Sequence, residues 1–172
     1  MEPFECNFPL DGPPPPCDAK IAVLHRYWCD IRPDGNALPG RQHLDPADIP
    51  ALLPTIRLYD VHRDPWRFKY RLVGTELVRM MGHDPTGSWF DNTLAKGGGT
   101  HSQTDLVFVA EGRGISYRRG FPLHFLPDKK HLTSERILLP LARNGSDVDI
   151  VLGFTVHHHV PAVARARRVA AA

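Results

Sequence analysis

The stretch RFKYRLVG, residues 67–74, alternates apolar with charged side chains. Phe68, Tyr70 and Leu72 fall on one side of this alternation, which is typical of a half-buried β-strand. A similar run, TIRLYDVHR, precedes it, and the intervening HRDPWR contains Asp64-Pro65, a turn signal. The sequence therefore predicts a hairpin of two antiparallel strands with one apolar face.

Helical spacing replaces the alternation directly after this hairpin. TELVRMM predicts a short helix that ends at Gly82, because glycine suits the left-handed conformation at a helix end. A longer central helix is predicted over residues 100–111, where the apolar positions again recur at helical spacing. The short helix has an apolar stripe of Leu77, Met80 and Met81.

Three further strands are predicted in ISYRRGFPLHF, HLTSERILLPLAR and VDIVLGFTVHHHV, with a tight hairpin turn at NGSD, residues 144–147. Strands at both ends of the chain and helices between them predict an α+β fold, in which the helices cover one face of a five-stranded antiparallel sheet. The opposite face must also be covered, because ILLPL is apolar at every position.

A third helix, predicted over residues 18–32, is the spare element that could cover that second face. Asp18 suits the helix start, and Pro33 follows its end. The same helix could instead pair with its copy in a homodimer, and the residues predicted for that interface share one stripe: Ile21, Leu24, Trp28 and Ile31.

The length of 172 residues predicts one domain with extensions. We expect a flexible proline-rich arm at 1–17, the N-terminal helix and a linker at 18–43, the main domain at 44–160, and a basic, alanine-rich tail at 161–172. No signal peptide or membrane span is visible, so a cytoplasmic location and no membrane partner are expected.

The formal net charge of +2 predicts no domain-wide field for a polyanion. Nucleic-acid binding is not expected, although the tail with Arg165, Arg167 and Arg168 leaves a DNA-associated regulator as an alternative. The three cysteines, Cys6, Cys17 and Cys29, have neither the spacing of a metal site nor that of a disulfide framework.

Three stretches together resemble the PAS superfamily, and specifically single-domain bacterial PAS proteins known largely from alphaproteobacteria. They are DIPALLPTIRLYDV, RFKYRLVGTELV with the following GHDPTG, and SERILLPLARNGSDVDIVLGFTV. The resemblance covers residues 20–156 and implies a five-stranded sheet with helices between strands two and three. It also implies sensing or partner contact in signal transduction, without catalysis, and output to a separate signalling protein.

The resemblance further implies a cavity walled by the second strand and the small helices. Its aromatic and methionine-rich lining suits a small apolar or planar ligand. A filled core without a ligand explains the same stripes equally well. The predicted lining residues are Phe68, Tyr70, Leu72, Met80, Met81, Phe90, Tyr117, Leu123 and Phe154.

Histidines provide the remaining candidate chemistry. Haem-binding PAS domains carry a histidine on the central helix, where His101 lies, but a capping or surface histidine is favoured, and the cofactor stays unknown. His157 and His159 share one face of the last strand and could hold two corners of a metal site. A small metal-dependent α+β enzyme is therefore the alternative to a sensor, although no metal site is predicted, because a third ligand is missing.

Overall fold

The computed structural model describes residues 3–33, 37–93, 100–120 and 132–159. Within these ranges, six strands form one antiparallel sheet in the order β1-β4-β5-β6-β2-β3. The strands are β1 (Phe4–Phe8), β2 (Ile56–His62), β3 (Arg67–Val73), β4 (Ile115–Gly120), β5 (Leu132–Leu141) and β6 (Ile150–His159). The helices are α1 (Ala19–Asp30), α2 (Thr75–Met81) and α3 (Thr100–Ala110), with short 3-10 helices at Arg41–His43, Pro46–Asp48, Leu53–Thr55 and Phe90–Thr93.

β1 is a sixth strand in the arm that was expected to be flexible. Phe4–Phe8 pairs antiparallel with β4, from Phe4 opposite Arg119 to Phe8 opposite Ile115. The segment FECNF alternates, so that Cys6 and Phe8 pack against the core from one face. The alternation was visible in the sequence, but the prolines on both sides of it hid the strand. Its pairing covers an edge of β4 that would otherwise have unsatisfied backbone groups.

Cross-strand pairing divides the side chains of the sheet between two faces, and both are buried, as the sequence predicted. We call them the α1 face and the α3 face after the longer helix that covers each. On the α1 face lie Ile56, Leu58, Tyr117, Glu135, Ile137, Leu139, Leu152 and Phe154. On the α3 face lie Arg57, Tyr59, Phe68, Tyr70, Arg136, Leu138 and Thr155.

α1 lies on its own sheet. Ile21, Leu24 and Trp28 have no exposed surface, and the Trp28 Nε1 donates a hydrogen bond of 3.0 Å to the Pro140 carbonyl. Asp18 caps the helix by accepting from the Lys20 backbone N–H at 2.8 Å. The structure therefore places three of the four residues predicted for a dimer interface inside the core of the single chain. Ile31 is half-buried just after the helix, and a homodimer stays a prediction that would need other surface.

The loops follow the predicted turns with one difference. The β2–β3 turn occupies the predicted segment, and α2 ends at Gly82 with a φ of 78°. The β5–β6 connection is longer than a tight NGSD turn and runs over residues 142–149. There the Asn144 side-chain oxygen accepts from the Ser146 and Asp147 backbone N–H groups, which stabilises a longer loop than a two-residue turn.

None of the helices in the described ranges is long and apolar enough to cross a bilayer. The cytoplasmic location stays a prediction.

Candidate functional site

A β-bulge in β3 redirects the side chains on which the predicted cavity depends. Leu58 of β2 pairs with Leu72, but the next residue, Tyr59, pairs with Tyr70, so Arg71 is an extra residue in β3. A bulge of one residue moves everything beyond it to the other face. Leu72 therefore lies on the α1 face, 44% exposed, and the prediction that it shares a face with Tyr70 is wrong.

The sheet separates two more of the predicted lining residues from Tyr70. Phe154 is opposite Ile56 and Ile137 on the α1 face, and Tyr117 shares that face. The alternation within each strand was read correctly, but it does not say which set of alternate residues faces which helix. The nine residues therefore do not line one cavity.

The remaining predicted residues have three outcomes. Phe68, Tyr70 and Phe90 are buried on the α3 side. Met80 and Met81 are half-buried at the end of α2, and Leu123 lies outside the described residues. Ligand contact by any of them stays a prediction.

Three aromatic rings form a cluster on the α3 face. The ring centroids of Tyr59 and Tyr70 are 5.0 Å apart, and Phe90 lies 5.7 Å from Tyr59 and 6.0 Å from Tyr70. The Tyr70 and Thr93 hydroxyl oxygens are 3.3 Å apart. Burial, more than any other cause, raises the pKa of Tyr70 far above its usual value, so the phenol stays neutral. These rings pack on one another as core residues do.

A buried arginine pair, Arg57 and Arg136, lies beside this cluster. The Arg57 Nη2 donates to the Thr155 hydroxyl at 2.7 Å, and the Arg57 guanidinium lies 6.0 Å from the centroid of the Tyr59 ring. The Arg136 Nη2 is bonded to an Asp105 carboxylate oxygen, and its Nη1 is 3.5 Å from the Ser102 hydroxyl. α3 supplies both of these Arg136 partners, so the pair lies between the sheet and α3.

The sheet provides room for Arg57 by means of a glycine. Gly153 lies directly beneath the Arg57 side chain, and a Cβ there would be 3.0 Å from both the Cγ and the Nε of Arg57. A larger residue would push the guanidinium away from Thr155 and Tyr59.

The arginine pair has more positive charge than its neighbours neutralise. Burial lowers the pKa of Arg136, and the positive charge of Arg57 lowers it further, whereas Asp105 raises it. The Nε atoms of both arginines are buried without a hydrogen-bond partner among the described residues. Arg118, which is opposite Arg136 on β4, has its own partner in Glu5 at 2.6 Å. Asp105 is therefore the carboxylate that Arg57 and Arg136 share.

Glu135 anchors a second polar cluster, on the α1 face. Its Oε2 accepts from the Asp18 backbone N–H and from the Tyr117 hydroxyl, each at 2.8 Å, and its Oε1 is 3.2 Å from the His158 Nε2. Glu135 and Arg136 thus face opposite ways and each has structural partners, as the alternation of the strand predicted. This cluster joins the start of α1 to the end of the sheet.

The three consecutive histidines do not act as one group. His158 faces Glu135, whereas His157 and His159 lie on the other face of β6. Over residues 3–33, 37–93, 100–120 and 132–159, no three potential ligands come close enough together to hold a metal ion. His101 lies in the first turn of α3. The basic tail with Arg165, Arg167 and Arg168 lies outside the described residues.

The sequence analysis missed the arginine pair, although a signal was present. Arg57 and Arg136 are charged residues in strands whose two faces both had to be covered. A long cationic side chain beneath a helix is unusual unless it is paired. Which elements lie over each arginine depends on register, which the sequence does not give.

A sequence model of a family described as a PAS domain matches residues 18–156, from the cap of α1 into β6. The chain belongs to the PAS domain family. The sheet and its helices have the PAS fold, and β1 precedes the matched range. PAS domains are generally sensory and non-enzymatic, so a sensory domain is the coarse description of this chain. The narrower alphaproteobacterial group stays a prediction.

One solved structure is similar to this PAS domain, and its title is "Structure of an RNA-binding Light-Oxygen-Voltage Receptor". The sequence identity is 14% and the TM-score is 0.47. The match covers 90% of this chain and 38% of the receptor chain, so this chain spans well under half of that receptor. No curated protein matches the sequence significantly.

Gly74, the corner between β3 and α2, allows a close approach of two backbone segments. Its N–H donates to the Ile56 carbonyl at 2.7 Å, and a Cβ on it would be 2.4 Å from the Pro54 carbonyl oxygen. Gly74→Ala should lower the free energy of unfolding by about 1–3 kcal/mol, because backbone must shift to admit the methyl group. Urea denaturation checks this. Thr75→Ala, at the exposed neighbouring position, should stay within about 0.5 kcal/mol, and equal midpoints for both variants would contradict the prediction.

Proposed function

We propose that this PAS domain is a sensor that binds a small, planar, negatively charged molecule between the sheet and α3. The observation that carries the proposal is the arginine pair, in which Arg57 and Arg136 share the single carboxylate of Asp105. Two positive charges against one leave a surplus of one in a site from which water is largely excluded. A buried charge without a partner is costly, so an anion from solution would gain strongly by binding there.

The planar part of the ligand is proposed from the neighbouring aromatic cluster. Arg57 lies near the ring of Tyr59, and Tyr59 contacts Tyr70 and Phe90. Aromatic faces and guanidinium groups both stack well on flat molecules. The two buried Nε–H groups supply donors of fixed direction that would orient a carboxylate or a similar anion. Recognition by such a site needs no reacting group, which agrees with the family's sensory role.

Native mass spectrometry of the protein purified from a bacterial host tests this proposal. The wild type should retain a small anion that is released on denaturation. Arg57→Met should lose it and should lower the melting temperature relative to the ligand-bound wild type, because ligand binding stabilises the folded state. The matched control is Arg71→Met, an exposed arginine on the other face that pairs with Asp60 at 3.0 Å.

The outcomes separate a binding site from a structural pair. Without a ligand, Arg57→Met removes an under-compensated charge and should leave stability equal or higher. A wild type with no bound species, together with an unchanged or raised melting temperature for Arg57→Met, would overturn the proposal. Retention of the anion by Arg57→Met would overturn it as well.

Output to a separate signalling protein is the rest of the proposal. The Glu135 cluster supports a route for the signal, because it bonds the first residue of the α1 cap to β5 and β6. A ligand that shifts Arg136 acts on the neighbouring residue of the same strand. The partner protein, a homodimer and the cytoplasmic location are all part of this proposal and are untested.

A further inference from the structure

An apolar cavity of about 390 Å³ lies on the α1 face, on the opposite side of the sheet from the arginine pair. It is enclosed by residues 41–54 on one side and by β2, β3 and β6 on the other. Its walls are mainly leucines: Leu44 and Leu53 from the covering segment, and Leu58, Leu72 and Leu152 from the three strands. Its volume falls in the range of about 300–1,000 Å³ that is usual for small-molecule sites.

The chemistry of the walls restricts what the cavity can hold. Arg41 and Thr75 are the two lining residues with a polar side chain, and every other lining residue is aliphatic, proline or glycine. A peptide or a sugar would lose its hydrogen bonds to water there and would not regain them from the protein. An aliphatic chain loses nothing of the kind, and its burial is favourable in proportion to its length.

A second cavity, of about 480 Å³, joins the first at Arg41 and has the opposite character. It is lined by Arg41, Arg71 and Arg143 against the single carboxylate of Asp149. Arg71 also pairs with Asp60 at 3.0 Å, so three positive charges minus two negative ones leave a surplus of one. We call it the cationic cavity. Its arginines can form paired hydrogen bonds with a planar two-oxygen anion.

The bulge in β3 is what brings the two cavities together. Because Arg71 is the extra residue, Leu72 turns onto the α1 face, where it lines the apolar cavity while Arg71 lines the cationic cavity. Regular alternation would have placed Leu72 beside Tyr70 on the other face. Bulges commonly redirect side chains next to binding sites. The 44% exposure of Leu72 places it at the mouth of the apolar cavity.

We infer that the α1 face holds a second binding site, for a free straight-chain aliphatic carboxylate. The chain fills the apolar cavity beneath residues 41–54, and the carboxylate lies at Arg41, at the entrance to the cationic cavity. The site shares no residue with the arginine pair on the α3 face, so it neither depends on the proposed sensor ligand nor competes with it.

Isothermal titration of the delipidated full-length chain with octanoate, nonanoate and decanoate, each below its aggregation concentration, tests the inference. Each added methylene should lower Kd about fourfold until the cavity is filled, as expected for burial of one CH₂. Decyltrimethylammonium, with the same chain and the opposite charge, should bind about tenfold more weakly than decanoate or worse. Arg57→Met should bind decanoate as the wild type does, which separates this site from the proposed sensor site.

Two variants with a matched control locate the site. Leu72→Asp puts a negative charge at the mouth of the apolar cavity, on an exposed position that the fold tolerates, and should weaken decanoate binding about tenfold or more. Arg41→Gln should weaken decanoate but not decyltrimethylammonium. Val23→Asp, at a 56% exposed position on α1, should change neither. No saturable binding of decanoate, equal affinity for the two head groups, or wild-type affinity in Leu72→Asp would each overturn the inference.

Discussion

Replacing Trp28 with alanine should lower the free energy of unfolding by about 3–5 kcal/mol, the usual effect of truncating a large buried aromatic residue. The Trp28 side chain is fully buried on the α1 face, and its Nε1 supplies the hydrogen bond to the Pro140 carbonyl. The variant therefore leaves a large cavity and an unpaired carbonyl beneath α1. Urea denaturation of the wild type and the variant measures the difference.

The control for this prediction lies on the same helix. Val23→Ala is at an exposed position and should change the free energy of unfolding by no more than about 0.5 kcal/mol. Trp28→Phe keeps most of the packing and removes the hydrogen bond, so its loss should fall between the two. If Trp28→Ala leaves the midpoint unchanged and instead dissociates a dimer, Trp28 contacts a second copy and its burial within the single chain is wrong.

Asp105→Ala should be almost as damaging, with a loss of about 3–5 kcal/mol, because it leaves the buried Arg136 without its carboxylate. The side chains of this ion pair are 13% and 17% exposed. Burial and the charge of Arg57 already disfavour the charged form of Arg136, so nothing else described near it can compensate fully. Thermal and urea unfolding of the purified variant provide the measurement.

Two comparisons show whether the loss comes from an uncompensated charge. The double variant Asp105→Leu with Arg136→Met removes both charges and should recover the stability of the wild type or exceed it. Glu76→Ala breaks an exposed pair with Arg79 on α2 and should cost about 1 kcal/mol or less. A double variant as unstable as Asp105→Ala would show that helix packing, and not the charge, explains the loss.

Local patterns in the sequence predicted the elements because each depends on neighbouring residues. The alternation around Phe68 and Tyr70 gave β3, and helical spacing with Gly82 gave α2 and its end. The apolar positions of ILLPL required cover on both faces of the sheet, and α1 supplies it on one of them. The opposite orientation of Glu135 and Arg136 also followed from alternation alone. β1 was missed although its pattern was present, because prolines flank it.

Only the tertiary structure decided which residues meet. Alternation separates two sets of side chains in a strand, but strand register decides which helix each set faces, and register depends on pairing between distant segments. The extra residue at Arg71 changed the face of Leu72, and pairing placed Tyr117 and Phe154 across the sheet from Tyr70. Pairing also brought Arg57 and Arg136 together over Gly153. The sequence determined that this is a PAS domain with two covered faces, and long-range pairing determined where its two candidate sites lie.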